Sequence, residues 1–316
     1  MKCPNFIPMP EPAPSISTST ATQAPDLSLS ALAEALRPAQ WVKNGFVFAA
    51  LIFSQHLTNW NSNFRVALAA GAFCLISSAA YLLNDILDAE EDRNHPAKRL
   101  RPVASGRLGV KLAAITSAVL ALGALATAWA LDRRFLLTIA LYAGVNLAYS
   151  WFLKRIMLLD VFVIAAGFVF RVIGGAVVIH VVVSSWLIVC TTLLALFLAL
   201  SKRRHELVLL KSGASNHRST LANYSPYFLD QLIAIVTAST VMSYALYTLS
   251  ADVQAKFPGK RLELTIPFVL FGIFRYLYLV HQNEEGGNPT RLVLTDPVLI
   301  SVVLIWAASV IFIIYL

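Results

Sequence analysis

Charged residues are scarce in this 316-residue sequence. Only 13% of the residues are Asp, Glu, Lys or Arg, whereas 58% are hydrophobic; soluble domains carry about 25% charged residues. The hydrophobic residues form long runs separated by short charged loops, which excludes a soluble globular protein and predicts a polytopic membrane protein. Strict alternation of apolar and polar residues is also absent. That absence argues against a transmembrane β-barrel and leaves an all-α helical bundle.

Cysteine and signal-peptide features are also lacking. The three cysteines, Cys3, Cys74 and Cys190, have no metal-type spacing, and two of them fall in predicted spans. Neither a disulfide framework nor a cysteine metal site is therefore predicted. Residues 1–30 are rich in Pro, Ser, Thr and Ala and contain no apolar core of signal-peptide length, which favours a disordered cytoplasmic tail over a cleaved leader. The rest, residues 31–316, is predicted to be one transmembrane domain.

Nine apolar stretches approach the length of about 20 residues that a membrane span needs. They are residues 38–57, 66–83, 110–131, 135–153, 158–180, 183–201, 228–250, 264–281 and 294–316. With nine spans, most of the 25 Lys and Arg residues fall on the side that carries the N-terminus, so the positive-inside rule places that side in the cytoplasm. The same bias accounts for the net charge of +8 without a nucleic-acid partner.

The few acidic residues include one concentrated group. Asn84, Asp85, Asp88 and Asp92 lie where a long apolar segment ends. In a helix, which turns roughly 100° per residue, Asn84, Asp88 and Asp92 form one stripe and Asp85 lies beside it. Clustered carboxylates repel one another unless a cation neutralises them, and hard oxygen ligands suit Mg²⁺ better than Zn²⁺. These four residues are therefore predicted to bind Mg²⁺.

A simpler interpretation of the acidic group is a solvated cytoplasmic loop. Its carboxylates would then pair with Arg93, Lys98 and Arg99, which follow closely in the sequence. However, the acidic residues begin soon after Tyr81 and Leu82, while the apolar period is still running. Acidic side chains at membrane depth are costly and usually functional, so the metal site is favoured.

Basic residues follow the acidic group. Lys98 and Arg101 lie in a segment punctuated by Pro96 and Pro102, which predicts an ordered loop folded over the helix ends. Arginine binds phosphate oxygens in a fork and lysine supplies a point charge, so a phosphorylated substrate is predicted. We assign these two residues, with the three aspartates, to catalysis. His95 could carry a proton, although a histidine in such a place more often caps or packs.

Other polar residues are predicted to lie on the same face of the membrane. The candidates for substrate binding are Lys43 and Asn44 in the first span, Tyr149 and Lys154 at the end of the fourth, and Lys202 and Arg203 after the sixth. Each alone is typical of a snorkelling helix end, but together they could surround one anion. Arg171, in the middle of the fifth span, is a further candidate for substrate binding. A charged residue there needs a carboxylate or phosphate partner, and Asp160 or the acidic group could provide the carboxylate.

One known family has a similar acidic pattern. The first aspartate-rich motif of the UbiA superfamily of intramembrane prenyltransferases resembles Asn84-Asp85-x-x-Asp88-x-x-x-Asp92-x-x-His95-Pro96-x-Lys98-x-x-Arg101-Pro102. The resemblance covers nearly the whole chain from about Leu36. It implies about nine transmembrane helices around a cytoplasm-facing cavity, with residues 31–316 as a UbiA-like domain in the plasma (inner) membrane.

The resemblance departs from most of the family at one position. Most members have a second aspartate-rich motif after the sixth helix, where this sequence reads Ser201-Lys202-Arg203-Arg204-His205-Glu206-Leu207. This basic run resembles the decaprenyl-phosphate phosphoribosyltransferase branch. Two further motifs of that branch also recur, as Arg37-Pro38-x-Gln40-Trp41-Val42-Lys43-Asn44 and Arg171-x-x-Gly174-Gly175.

The branch implies a specific reaction. Mg²⁺-dependent transfer would move 5-phosphoribosyl from phosphoribosyl pyrophosphate to a polyprenyl (decaprenyl) phosphate and release pyrophosphate, supplying lipid-linked arabinose for the cell envelope. Lys43 and Asn44 would contact the donor, while Lys98 and Arg101 would steady its phosphates. Lys154, Arg171, Lys202 and Arg203 stay candidates for the 5-phosphate or the lipid phosphate.

Two alternative functions stay open, and so does assembly into a homo-oligomer. One is a prenyltransferase that moves an isoprenyl chain from its diphosphate to an aromatic acceptor. The other is a transporter or channel that uses the acidic residues as an ion relay. The acidic group lies at a helix end and no internal repeat is evident, whereas transporter sites usually lie near the bilayer midplane between repeats.

Overall fold

The computed structural model describes residues 29–94, 98–211, 224–282 and 289–316. All regular structure in these ranges is helical. The α-helices are α1 (Leu29–Leu36), α2 (Ala49–Phe53), α3 (Trp60–Leu87), α4 (Ala89–Arg93), α5 (Val110–Leu131), α6 (Arg133–Trp151), α7 (Leu159–Val178), α8 (Ser185–Lys211), α9 (Pro226–Leu249), α10 (Ala251–Lys256), α11 (Ile266–Gln282), α12 (Pro289–Thr295) and α13 (Pro297–Tyr315). The predicted tail lies outside the described residues except for Leu29 and Ser30, which instead begin α1.

Seven helices of the described ranges are long and apolar enough to cross a membrane. These spans are Trp60–Leu87, Val110–Leu131, Leu159–Val178, Ser185–Val208, Pro226–Leu249, Leu262–His281 and Pro297–Tyr315. The predicted count of nine is therefore not confirmed. The fourth predicted span forms α6, which has 19 residues but begins with Arg133 and Arg134, and it is not among the seven.

The first predicted span does not form one continuous α-helix. It consists of a 3₁₀ helix, Pro38–Phe48, followed by the short α2. Arg37 enters this 3₁₀ segment in the left-handed conformation (φ 53°), and the next residue is a proline, which has no backbone N–H to extend α1. The apolar composition of this segment predicted a membrane span but did not reveal its helix type, and within the 3₁₀ segment only Asn44 and Val47 are buried.

The 3₁₀ segment lies against α7 at a pair of glycines. A Cβ atom at Gly175 would be only 1.9 Å from the carbonyl oxygen of Val47, and one at Gly174 would be 2.6 Å from the ring of Phe73. Neither position has room for a side chain. Gly175 therefore lets the backbone of the 3₁₀ segment come close to α7, and Gly174 lets the ring of Phe73 pack against the same helix.

We expect Gly175→Ala to destabilise the protein. The added methyl group meets a backbone oxygen, which cannot move without shifting the whole 3₁₀ segment, and overpacking of this kind costs about 1–3 kcal/mol. Thermal unfolding of the purified variant in detergent measures the effect. Gly144→Ala in α6 is the matched control, because its Cβ would meet nothing within 4 Å. An unfolding temperature for Gly175→Ala equal to that of the control would contradict the close contact.

The remaining helices complete the bundle around α3 and α7. α5 packs along α3, α8 packs between α7 and α9, and α11 packs against α13. At the start of α3, the Arg65 guanidinium donates hydrogen bonds to the carbonyl oxygens of Val178 (2.5 Å) and Leu131 (2.9 Å), which end α7 and α5. This cation pairs with C-terminal carbonyls of two helices, which have no partner within their own helix, at the end of the bundle opposite the acidic group.

Candidate active site

One face of α3 carries most of the candidate site. Positions 74, 78, 81, 85 and 88 are three or four residues apart, so their side chains lie on one side of the helix. The contacts along this face are Asn44 with Cys74 (3.1 Å), Trp41 with Ser78 (3.0 Å), Arg37 with the Tyr81 ring (5.0 Å) and with Asp85 (2.5 Å), and Lys154 with Asp88 (2.5 Å). The 3₁₀ segment and the residue before it therefore line this face.

The predicted acidic stripe continues across a helix junction. α3 ends at Leu87, and Asp92 lies in the short helix α4. Helical hydrogen bonds nevertheless continue, because the backbone N–H of Asp88 donates to the Asn84 carbonyl (2.9 Å) and that of Asp92 donates to the Asp88 carbonyl (2.8 Å). The spacing predicted from the sequence is therefore preserved, although two helices carry it instead of one.

Asp85 and Asp92 share one arginine. The Arg101 guanidinium donates to Oδ1 of Asp85 (3.2 Å) and to Oδ2 of Asp92 (2.6 Å), and Arg37 donates to the same Oδ1 of Asp85 (2.5 Å). Both carboxylates are buried, so they need these cations nearby. Oδ2 of Asp85 is buried and has no hydrogen-bond partner among the described residues.

Asp88 is held by a different cation. The Lys154 ammonium donates to its Oδ1 (2.5 Å), and the Asn84 side-chain amide donates to its Oδ2 (3.0 Å). Lys154 lies in a short 3₁₀ helix, Leu153–Arg155, directly after α6, and it is buried. Two groups that are 66 residues apart in the sequence are therefore in direct contact, as expected if they form one site.

The carboxylates are separated by their basic partners. In the described part of the chain, no group of three or more His, Cys, Asp or Glu side chains is placed to hold a metal ion. Lys98 lies in the 3₁₀ helix Lys98–Leu100 beside Arg101, while His95 and Pro96 lie outside the described residues. As arranged in the described residues, the acidic group is a set of ion pairs in which a buried carboxylate oxygen, Oδ2 of Asp85, has no hydrogen-bond partner.

Arg171 is buried in the middle of α7 and contacts no carboxylate of the described residues. Its guanidinium donates to the side-chain oxygen of Asn44 (2.7 Å), the carbonyl of Gly167 (2.6 Å) and the hydroxyl of Tyr142 (2.9 Å), all of them neutral acceptors. Three aromatic rings also lie within 6 Å of it. Neither of the acidic partners expected from the sequence is therefore in contact with this arginine.

Lys43 lies within electrostatic range of two other cations, Arg171 and Arg37. It belongs to the 3₁₀ segment, outside the seven spans, and within the described ranges its half-buried side chain has neither a hydrogen bond nor an ion pair. Burial, followed by the positive charges of Arg171 and Arg37, lowers the pKa of Lys43 to about 8. Lys43 and Arg171 are therefore two neighbouring cations without an acidic counterpart, an arrangement that attracts anions.

Arg203 belongs to a separate buried network. It is 1% exposed and donates to Oδ2 of Asp160 (2.6 Å), to Glu206 (2.5 Å) and to the hydroxyl of Tyr149 (3.4 Å). The Tyr224 hydroxyl donates to the other oxygen of Asp160 (3.0 Å). Two residues predicted to bind substrate, Tyr149 and Arg203, are thus in contact with each other. The Arg203 guanidinium therefore pairs with two carboxylates of the protein itself.

Two partners in the site were missed by the sequence interpretation. Arg37 was noted only as part of a motif, yet it contacts Asp85 because its left-handed backbone redirects the chain between α1 and the 3₁₀ segment. Tyr142 was not considered, and a tyrosine within an apolar helix gives little signal. Arg171, a polar residue within a span, was the indication that such a partner must exist nearby.

These features define an integral membrane protein of the helical-bundle class, with a charged site at one end of its spans. The chain belongs to the UbiA prenyltransferase family, whose profile matches residues 45–284.

Relatives of known name align over most of the chain. Decaprenyl-phosphate phosphoribosyltransferase of Corynebacterium glutamicum is 32% identical over 93% of this chain and 90% of its own. The enzyme of the same name from Mycolicibacterium smegmatis is 31% identical over 89% of this chain and 92% of its own. Among solved structures, a UbiA homolog from Archaeoglobus fulgidus bound to DMAPP and Mg²⁺ has a TM-score of 0.68 at 18% identity, covering 90% of this chain and 98% of that one. At that identity the likeness establishes the fold.

Proposed function

We propose that the protein transfers 5-phosphoribosyl from phosphoribosyl pyrophosphate to a polyprenyl phosphate and releases pyrophosphate. In this reaction the bond between C1 of the ribose and the diphosphate oxygen breaks, and a bond from C1 to an oxygen of the lipid phosphate forms. The observation that carries the proposal is the similarity to two enzymes named decaprenyl-phosphate phosphoribosyltransferase over about nine-tenths of each chain.

The proposed location is the plasma membrane, with the active site facing the cytoplasm. The acidic group lies at the C-terminal end of α3, and the adjoining loop carries Arg93, Arg99 and Arg107. Loops rich in Lys and Arg favour the cytoplasmic side. A cytoplasmic site would also have access to a soluble, highly charged donor.

The acidic group fits a magnesium ion that is shared with a substrate. Mg²⁺ commonly binds one or two carboxylates and completes its coordination with phosphate oxygens and water. The unpartnered oxygen of buried Asp85 would supply one hard ligand, and Asp88, Asp92 and Asn84 are the other residues that would hold the ion. Mg²⁺ bound there would neutralise the charge that develops on the departing pyrophosphate. The A. fulgidus homolog with bound Mg²⁺ has the same fold, which supports a divalent metal here.

The basic residues of the chain would position the two substrates. Arg101 already lies between two of the carboxylates, and with Lys98 it would steady the donor's phosphates. Lys154 would serve the same purpose beside Asp88. The lipid phosphate is already ionised at neutral pH, so its attack on C1 needs orientation more than a strong base.

The proposed function is tested by direct reaction. Purified full-length protein is incubated with phosphoribosyl pyrophosphate, a polyprenyl phosphate and Mg²⁺, and the lipid fraction is examined by mass spectrometry. We expect a lipid-linked phosphoribose, with pyrophosphate in equal amount. A parallel reaction offers an isoprenyl diphosphate and an aromatic acid. Prenylation of the acid without any lipid-linked phosphoribose would overturn the proposal in favour of a prenyltransferase.

The pKa of Lys43 predicts how donor use depends on pH. Its ammonium is cationic below about pH 8 and neutral above it, whereas the neighbouring Arg171 and Arg37 stay charged. If Lys43 binds a donor phosphate, kcat/KM for the donor should fall as the pH rises through about 8. In Lys43→Arg, which keeps its charge, this alkaline decline should disappear. The same decline in both proteins would exclude Lys43 as its source.

A further inference from the structure

Two neighbouring cations of the site, Lys43 and Arg171, have no acidic partner among the described residues. We propose that they form a subsite for a phosphate monoester, separate from the acidic group, and that this subsite takes the 5-phosphate of the donor. The inference rests on the proposed function. It assigns the two ends of the donor to two places: the 5-phosphate to Lys43 and the diphosphate to the acidic group.

The two places are separated along α3. Asn44, the neighbour of Lys43, contacts Cys74, whereas the acidic contacts on the same helix face are at Asp85 and Asp88. Positions 74 and 85 are 11 residues apart, which corresponds to about 16 Å along the axis of an α-helix. The Lys43 side chain shortens this interval, because its ammonium is within electrostatic range of Arg37, which contacts Asp85, as well as of Arg171. A substrate with phosphate at both ends could therefore contact both places at once. A single diphosphate is too short to do so.

Lys43 and Arg171 have different roles in this subsite. Arg171 is held by three neutral acceptors, so its position is fixed while its full charge stays uncompensated. It acts as a positioning residue that favours an anion nearby. Lys43 has a free ammonium with three N–H donors, and it is the group that would touch the phosphate. A phosphate monoester is close to a dianion at neutral pH, which matches two cations.

Aromatic rings surround the Arg171 end of the subsite. The ring centroids of Phe73, Tyr142 and Phe168 all lie within 6 Å of the Arg171 guanidinium. Phe73 and Tyr142 also pack edge to face, 5.4 Å apart. Aromatic rings and neutral hydrogen-bond acceptors therefore hold the Arg171 guanidinium, and none of these groups compensates its charge. The binding test below decides between a sugar phosphate and the lipid phosphate as the anion of this subsite.

The test treats the two halves of the donor as separate ligands. Calorimetry measures the binding of each ligand to the full-length protein in detergent. Ribose 5-phosphate should bind without Mg²⁺, and pyrophosphate should bind only with Mg²⁺. Lys43→Met should lower the affinity for ribose 5-phosphate by roughly ten- to hundredfold, as expected for the loss of one charge-assisted hydrogen bond. The affinity for pyrophosphate should stay unchanged. Lys43→Arg should restore most of the affinity. Lys111→Met, which removes an exposed lysine at the start of α5, is the matched control and should change neither ligand.

Several results would overturn the subsite. One is that the wild-type protein does not bind ribose 5-phosphate. The others are that Lys43→Met binds ribose 5-phosphate as tightly as the wild-type protein does, or that it loses affinity equally for ribose 5-phosphate and pyrophosphate. A short polyprenyl phosphate is the third ligand of the experiment. If Lys43→Met lowers the affinity for this lipid but not for ribose 5-phosphate, the lipid phosphate occupies the subsite and the proposal is wrong. Thermal unfolding of each variant confirms that it is folded. These binding results do not depend on turnover, so failure of the transfer assay alone would overturn only the proposed function.

Discussion

Replacing Asp88 with Asn should abolish transfer to the lipid phosphate. The substitution keeps the shape of the side chain but removes the charge that pairs with Lys154 and that would help to hold Mg²⁺. Loss of one preorganised electrostatic group in an active site typically costs 10²- to 10³-fold in rate, and here the ion pair and the metal ligand are lost together, so we expect at least roughly that reduction. The rate of product formation at saturating donor measures it. Excess Mg²⁺ should not restore the wild-type rate.

The neighbouring Glu90 supplies the control for this experiment. It lies two residues further on in α4, is exposed, and carries the same charge. Glu90→Gln should therefore retain full activity, which separates the position of the carboxylate from the total charge of the loop. Full activity in Asp88→Asn would remove the metal hypothesis. Equal losses in both variants would indicate a general electrostatic effect.

The helices could be predicted where the sequence is uniformly apolar. Runs such as those in α3, α7 and α13 are long enough to span a bilayer and leave the backbone no other way to satisfy its hydrogen bonds. The first predicted span was wrong in form because its conformation depends on tertiary contacts. The 3₁₀ segment lies where Gly175 of α7, more than 120 residues away, allows its backbone to approach.

The candidate site was predictable in its spacing but not in its pairing. Helical periodicity predicted that Asn84, Asp88 and Asp92 align, and the hydrogen bonds across the α3–α4 junction preserve that alignment. Periodicity cannot show which cation each carboxylate meets, because those partners come from distant segments. Lys154 and Arg203 both looked like phosphate ligands, yet one contacts Asp88 and the other contacts Asp160.

Arg203→Met should be among the most destabilising substitutions in the chain. Arg203 is almost fully buried and donates to Asp160, itself 1% exposed, and to Glu206. Removing the cation leaves the buried Asp160 carboxylate without its ion-pair partner, and breaking such a pair costs about 3–5 kcal/mol. We therefore expect a clearly lower unfolding temperature in detergent. The double variant Arg203→Met with Asp160→Asn should recover part of the loss, because the uncompensated charge is removed.

A substitution at Lys202 separates an effect on stability from an effect on substrate binding in the same basic run. It directly precedes Arg203 in α8, but its side chain is 43% exposed and lies 3.9 Å from Glu206. An exposed ion pair of this kind contributes about 0–1 kcal/mol, so Lys202→Met should leave the unfolding temperature nearly unchanged. If the run binds a substrate phosphate, Lys202→Met is the variant that should raise KM. An Arg203→Met protein with normal stability and a raised KM would contradict the buried network and support substrate binding by Arg203, because a structural cation cannot be lost without a change in unfolding.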